Sequence, residues 1–85
     1  METLGPISPA TLRDSVTDLL VNAILSGRIQ PGERLNESAL SRQLKVSRAP
    51  IREALQHMQE QGLVINKPRR GMFVVKLSPD QIQKI

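Results

Sequence analysis

The chain has 85 residues, 39% hydrophobic and 24% charged, enough for one small domain with one core and unlike the composition of a disordered chain. It contains no cysteine, which excludes disulfides and thiolate zinc sites; it also has no apolar run near the roughly 20 residues of a bilayer span and no signal-peptide pattern in "METLGPISPA", so the expected location is the cytoplasm. The formal net charge is +4, but residues 42–76 hold a net +6 and the rest a net −2, a segregation that points to a polyanion partner, against the plainer alternative of a solvated surface.

Leu12, Val16, Leu19, Leu20, Ala23 and Ile24 recur at helical spacing and predict a first amphipathic helix with one apolar stripe. Ser8 or Thr11 is placed to cap its start, with Asp14 completing a capping box if Thr11 does so. Gly27 is placed to end it in a left-handed conformation. "QPGERL" then predicts a type II turn with Pro31 and Gly32 at its centre, followed by a short strand at Leu35.

Asn36 is an N-cap for a short second helix, "ESALSRQL", with Leu40 and Leu44 facing inward. "KVS" leaves room only for a tight turn into a third helix, capped by Ser47. Pro50 then falls at N3, where its missing N–H has no intrahelical acceptor to lose and its ring meets no preceding turn. On that third helix Ile51, Ala54, Leu55 and Met58 form the inward stripe, while Arg48 and Arg52 fall within about 40° of each other on another face. The pair lies beside the positive end of the helix dipole, so two forked cations and an anion-seeking helix tip coincide.

After Gly62 the hydrophobic period changes from 3.6 to 2. "LVINK" and "MFVVK", joined by "PRRG", predict a β-hairpin with Leu63, Ile65, Phe73 and Val75 on the buried face and Arg69 and Arg70 at the tip. The expected fold class is α+β: three helices and a basic hairpin, a winged helix-turn-helix.

The stretch "ILSGRIQPGERLNESALSRQLKVSRAPIREALQHMQEQGLVINKPRRGMFV" resembles the DNA-binding domain of GntR-family bacterial transcription regulators, with "PGERL", "VSRAPIREAL", "GLV" and "RRGMFV" in the family's order and spacing. The likeness runs from about Leu12 to Leu77, and "LSPDQI" resembles the junction into the helical effector domain of the branch named after the fatty-acid regulator. The resemblance implies that Arg34 reaches a phosphate or a base from the start of the second helix. It implies that Arg48 and Arg52 read bases in the major groove, with Ser47 and Ala49 beside them on the backbone. Arg69, Arg70 and Gly71 would form the wing tip at the minor groove. Members usually carry glycine where this chain has Lys45, a position that often needs positive φ, so a lysine there is expected to cost about 1 kcal/mol of strain and to add charge near the phosphates.

The expected organisation is an N-terminal arm over residues 1–10, the winged domain over 11–77, and over 78–85 the first turns of a connection to a C-terminal effector domain. Ser78 as N-cap, Pro79 at N1, and Ile82 and Ile85 as the start of an apolar stripe imply more protein beyond Ile85. The expected partner is duplex DNA with a palindromic operator, read by a homodimer of the full-length protein whose C-terminal domain binds a small-molecule effector. No cofactor and no membrane contact are expected for this chain.

Other functional classes fit less well. His57 is the only histidine and has no cysteine beside it, so a surface residue is a better reading than a metal ligand. Glu53 and Glu60 lie seven residues apart, about 10 Å along a helix, as surface charges do, and no nucleophile–base pair, Walker A loop or GxGxxG motif is present. An RNA reader would need aromatic stacking platforms, and Phe73, assigned to the buried face, is the only aromatic residue. A protein-binding winged helix gives no reason for Arg48 and Arg52 at the helix tip.

Overall fold

The computed structural model describes residues 9–75. In chain order the elements are α1 (Pro9–Leu25), β1 (Arg34–Leu35), α2 (Glu37–Leu44), α3 (Arg48–Glu60), β2 (Val64–Lys67) and β3 (Gly71–Val74). The three strands form one antiparallel sheet in the order β1-β3-β2. Three helices with this small sheet make the winged helix-turn-helix expected from the sequence. The start of α1 takes in Pro9 and Ala10, the end of the expected arm; residues 1–8 and the expected connection at 78–85 lie outside the described residues.

One core joins all the elements. Val16 and Leu20 of α1 pack with Ile51, Ala54, Leu55 and Met58 of α3, closed by Leu35, Leu40, Val64 and Val74. The inward stripe predicted for α3 is therefore the stripe observed, with Pro50 buried beside it at N3. Along α1 the expected stripe is narrower. Leu19 is half exposed, and Thr17 takes the buried place instead, its hydroxyl donating to the Arg13 carbonyl at 2.8 Å. That back-bond satisfies the buried hydroxyl within the helix itself. Because α1 begins at Pro9, Thr11 lies within the first turn and does not form the cap; Ser8 falls outside the described residues.

Local signals fixed most of the connections. Glu33 N–H donates to the Gln30 carbonyl at 3.0 Å across Pro31 and Gly32 (φ 85°), which is the expected type II turn. The Asn36 side chain accepts from Ala39 N–H at 2.9 Å, as an N-cap should. Ser47 stands at the extended N-cap position of α3, but its side chain makes no capping hydrogen bond. The expected cap is therefore positional only, and the rigid Pro50 stabilises that first turn in its place.

The turn between α2 and α3 carries the strain anticipated from the sequence. Lys45 is left-handed, with φ 56° and ψ 42°, and the next residue, Val46, donates back to the Ser41 carbonyl at 3.2 Å. At the end of α3 the same six-to-one closure, Leu63 N–H to the Met58 carbonyl at 2.9 Å, is built around Gly62 at φ 81°. One motif thus occurs twice, once with the residue that adopts it freely and once with a lysine. The wing tip repeats the choice: Arg70 N–H donates to the Lys67 carbonyl at 2.9 Å, and Arg69, not a glycine, takes positive φ at 66°. Lys45→Gly and Arg69→Gly should each stabilise the fold by about 0.5–1 kcal/mol, whereas alanine at either position should not. Thermal melts check this as a rise of roughly 2–8 °C for each glycine variant.

The wing register departs from expectation. Val64 pairs with Val74, and Ile65 with Phe73, in adjacent positions of the β2–β3 ladder. Val64 and Val74 are the buried pair; Ile65 is 43% exposed, and Leu63, Phe73 and Val75 are only half-buried. The expected face is therefore off by one residue at Ile65, Phe73 and Val75, whereas Leu63, just ahead of β2, packs against the core as expected. A hairpin whose strands read V-I and F-V is apolar on both faces, so alternation alone does not say which face meets the helices. Phe73 sits on the outer face, across from Arg34 on β1 and with Lys67 Nζ 4.7 Å from its ring centre. A single ring covered by a cation is not a stacking platform, so the case against an RNA reader stands on a corrected footing.

Candidate nucleic-acid interface

Exposed cations lie on the first turns of α3, in the turn before it and at the tip of the wing. Ser47, Arg48, Ala49 and Arg52 are exposed along the first turn and a half of α3, directly after the strained turn that carries Lys45. Neighbours four apart on a helix share a face, so Arg48 and Arg52 project together past the buried stripe of Ile51 and Leu55. Arg69 and Arg70 are exposed at the tip joining β2 to β3. A second group of exposed cations, about 20 residues on in sequence, thus stands at the wing tip.

Arg34 is the residue whose setting differs from the expectation. It lies in β1, two residues ahead of the Asn36 cap, and not at the start of the second helix. Its side chain crosses the outer face of the sheet to Gly71, diagonally opposite on β3. A Cβ at position 71 would lie 2.9 Å from Arg34 Nε. Gly71 also has φ 113°, a conformation that side chains disfavour. The glycine is therefore favoured by its own backbone, while the Arg34 guanidinium lying against it would have to shift to admit a side chain.

One residue of the site was not anticipated. Glu37, the first residue of α2, accepts two hydrogen bonds from Arg52: Nε to Oε2 at 3.2 Å and Nη2 to Oε1 at 2.9 Å. The Glu37 side chain is 29% exposed and that of Arg52 61% exposed. Hydrogen bonding to Glu37, and then its charge, raises the Arg52 pKa above the ordinary arginine value, so the guanidinium stays charged throughout the accessible pH range. Glu37, with Leu55 and Met72, lines two adjoining shallow clefts. One is also bordered by Arg34, Ser38 and Gly71, the other by Arg52, Gln56 and Asn66. The sequence offered half of this signal, an acid at a helix start where the dipole favours it. The other half, a partner 15 residues ahead, appears only when α2 folds onto α3.

Away from this face the chemistry is sparse. His57 is exposed on α3, with Nδ1 3.8 Å from Glu60 Oε1 one turn on. Among the described residues no cluster of histidine and carboxylate side chains is placed to hold a metal ion, and no helix is long and apolar enough to cross a membrane.

Known proteins share both the sequence and the shape. Residues 12–74 match the family described as bacterial regulatory proteins, gntR family. An uncharacterised HTH-type transcriptional regulator of Agrobacterium vitis is 41% identical over 64 residues, covering 75% of this chain and 37% of the relative. A putative GntR transcriptional regulator from Rhodococcus superposes with a TM-score of 0.77 at 36% identity, over 85% of this chain and 35% of that one. The DNA-binding domain of AraR, solved in complex with operator ORR3, superposes with a TM-score of 0.72 at 29% identity, over 88% of this chain and 92% of that domain. The chain spans about a third of the length of the curated relatives it matches. With a family match across all three helices and the wing, this chain belongs to the gntR family of bacterial regulatory proteins.

Proposed function

We propose that the chain reads a specific duplex operator for a transcription regulator, with α3 in the major groove and the wing on the minor groove. The observation that carries this reading is the exposed pair Arg48 and Arg52 on the first turns of α3, beside a strained turn that brings Lys45 forward. An arginine fork matches O6 and N7 of guanine, so guanines in each half-site are the expected targets. Ser47 and Ala49 approach the phosphate backbone, and Arg34 reaches a phosphate or base beside the wing. The operator complex of the AraR domain, which has the same fold, supports a duplex partner.

Regulation is assigned to the full-length protein. In the branch resembling the fatty-acid regulator, a C-terminal domain would dimerise and bind a small-molecule effector, and two-fold related α3 helices would then read a palindrome. The DNA-reading segment itself needs no cofactor and works in the cytoplasm. Binding-site selection from random duplexes tests the reading: enrichment of a guanine-containing half-site is the expected result, and no enriched sequence would sink it.

Wing contacts should be electrostatic. Arg69 and Arg70 suit a narrow A·T-rich minor groove, where negative potential is concentrated. Replacing both with alanine should make the slope of log affinity against log salt shallower by up to about two units, since each phosphate neutralised contributes roughly 0.9. An unchanged slope would leave the hairpin as a purely structural part of the domain.

A further inference from the structure

We propose that Glu37 is a positioning residue that makes Arg52 selective for a base: it grips one edge of the guanidinium, presents the other edge to guanine, and keeps the side chain off the phosphates. This inference rests on the reading of α3 as the base-reading helix.

The geometry of the pair carries it. Glu37 takes the N–H groups of Nε and Nη2, which lie along one side of the planar guanidinium. Of the five donors of an arginine, the two on Nη1 and the second on Nη2 remain. Nη1 and Nη2 together form the end-on fork, the edge whose two parallel donors match O6 and N7 of guanine. Glu37 therefore does not consume the recognition edge. It uses the edge that guanine does not need and holds the guanidinium plane in one orientation.

Exposed ion pairs between two flexible chains usually contribute little, because both must be ordered. Glu37 differs in being mostly covered and short-tethered to the first turn of α2, next to the Asn36 cap. Arg52 is thus held by a second helix before any DNA arrives, and less freedom is left to lose on binding. The carboxylate also acts by its charge. An unrestrained arginine beside DNA reaches for the nearest phosphate, a contact that carries no sequence information. Glu37 opposes that alternative twice, by holding the cation and by repelling phosphate itself. Such discrimination against a wrong partner is specificity obtained by repulsion as well as by attraction.

The consequence is a split between two affinities. Glu37→Gln keeps the shape of the side chain but removes its charge and one of its two acceptors; Glu37→Ala removes the grip entirely. For both variants of the 85-residue chain, affinity is measured for a selected duplex and for the same duplex with the Arg52-read guanine replaced. The ratio should fall by roughly tenfold, one good base contact's discrimination. Affinity for the replaced duplex should hold or rise, and its salt slope should steepen by about 0.9 as Arg52 gains a phosphate. A merely structural role would lower the melting temperature and leave ratio and slope alone. Unchanged ratio and slope in Glu37→Gln, alongside loss of preference in Arg52→Ala, would overturn the role of Glu37 while keeping α3 as the reader. A wild-type chain without any sequence preference would overturn both.

Discussion

Replacing Arg48 or Arg52 with alanine is expected to cost roughly tenfold or more in specific affinity and to relax the base preference at one or two positions of the half-site. The expectation rests on placement: both are exposed on one face of α3, at the end where the helix dipole favours an anion. Each loss should be read as a change in preference and not only in strength, since a base contact that is gone leaves the phosphate contacts intact. Arg42, exposed in the last turn of α2, is the control. Its alanine variant should weaken binding to every duplex by a similar factor. The two arginines should also differ from each other. Removing Arg52 leaves Glu37 as an uncompensated carboxylate beside DNA, so Arg52→Ala should lose more than Arg48→Ala, and Glu37→Ala in that background should recover part of the difference. Competition titrations over a panel of single-base operator variants measure all of this. A preference that survives both substitutions would remove α3 from the major groove.

Val64→Asp is expected to destabilise the domain by about 3–5 kcal/mol, the effect of leaving a charge buried without a partner. Val64 is 1% exposed and faces Val74 within the core. A domain of this size holds only a few kcal/mol in total, so most of the variant should be unfolded at 37 °C. Ile65→Asp, one residue along, should cost about 1 kcal/mol or less. Position 65 lies on the outer face that also carries Phe73, Arg34 and Lys67, where an added acid meets water and nearby cations. Urea or thermal unfolding of the two variants checks the wing register directly. Equal losses, or the larger loss at Ile65, would mean that the sheet presents its other face to the helices.

The placement of the α3 arginines and of the wing cations was legible because their signals are local. Arg48 and Arg52 are set by helical period and by a proline that marks the helix start, and Arg69 and Arg70 by a turn between two β-prone runs. Lys45 was legible for the same reason: a three-residue link between two helices admits few backbone paths, and the observed φ of 56° is one of them. Arg34 and Gly71 were expected as site residues, but the contact between them was not, since they are 37 positions apart and meet only across β1 and β3. The pairing of Glu37 with Arg52 was missed altogether. Nothing within a turn of Glu37 in sequence distinguishes a dipole-favoured acid from one that holds an arginine.

What the sequence determined by itself was therefore everything governed by interactions over a few residues: the three helices, the type II turn at Pro31–Gly32, the Asn36 cap, the inward stripe of α3 and the order of basic segments. What only the tertiary structure decided was which of two apolar options is used and which charges meet. The wing has hydrophobic residues on both faces, and packing against the helices selects Val64 and Val74. The stripe of α1 has more apolar positions than the core can cover, so Leu19 stays half exposed while Thr17 is buried on its own back-bond. The Glu37–Arg52 grip exists because the turn at Lys45 folds α2 back onto α3 and brings two charges within hydrogen-bond reach. Hydrophobic burial is nondirectional and long-range ion pairing depends on the final chain path, so neither is encoded in the spacing of neighbouring residues.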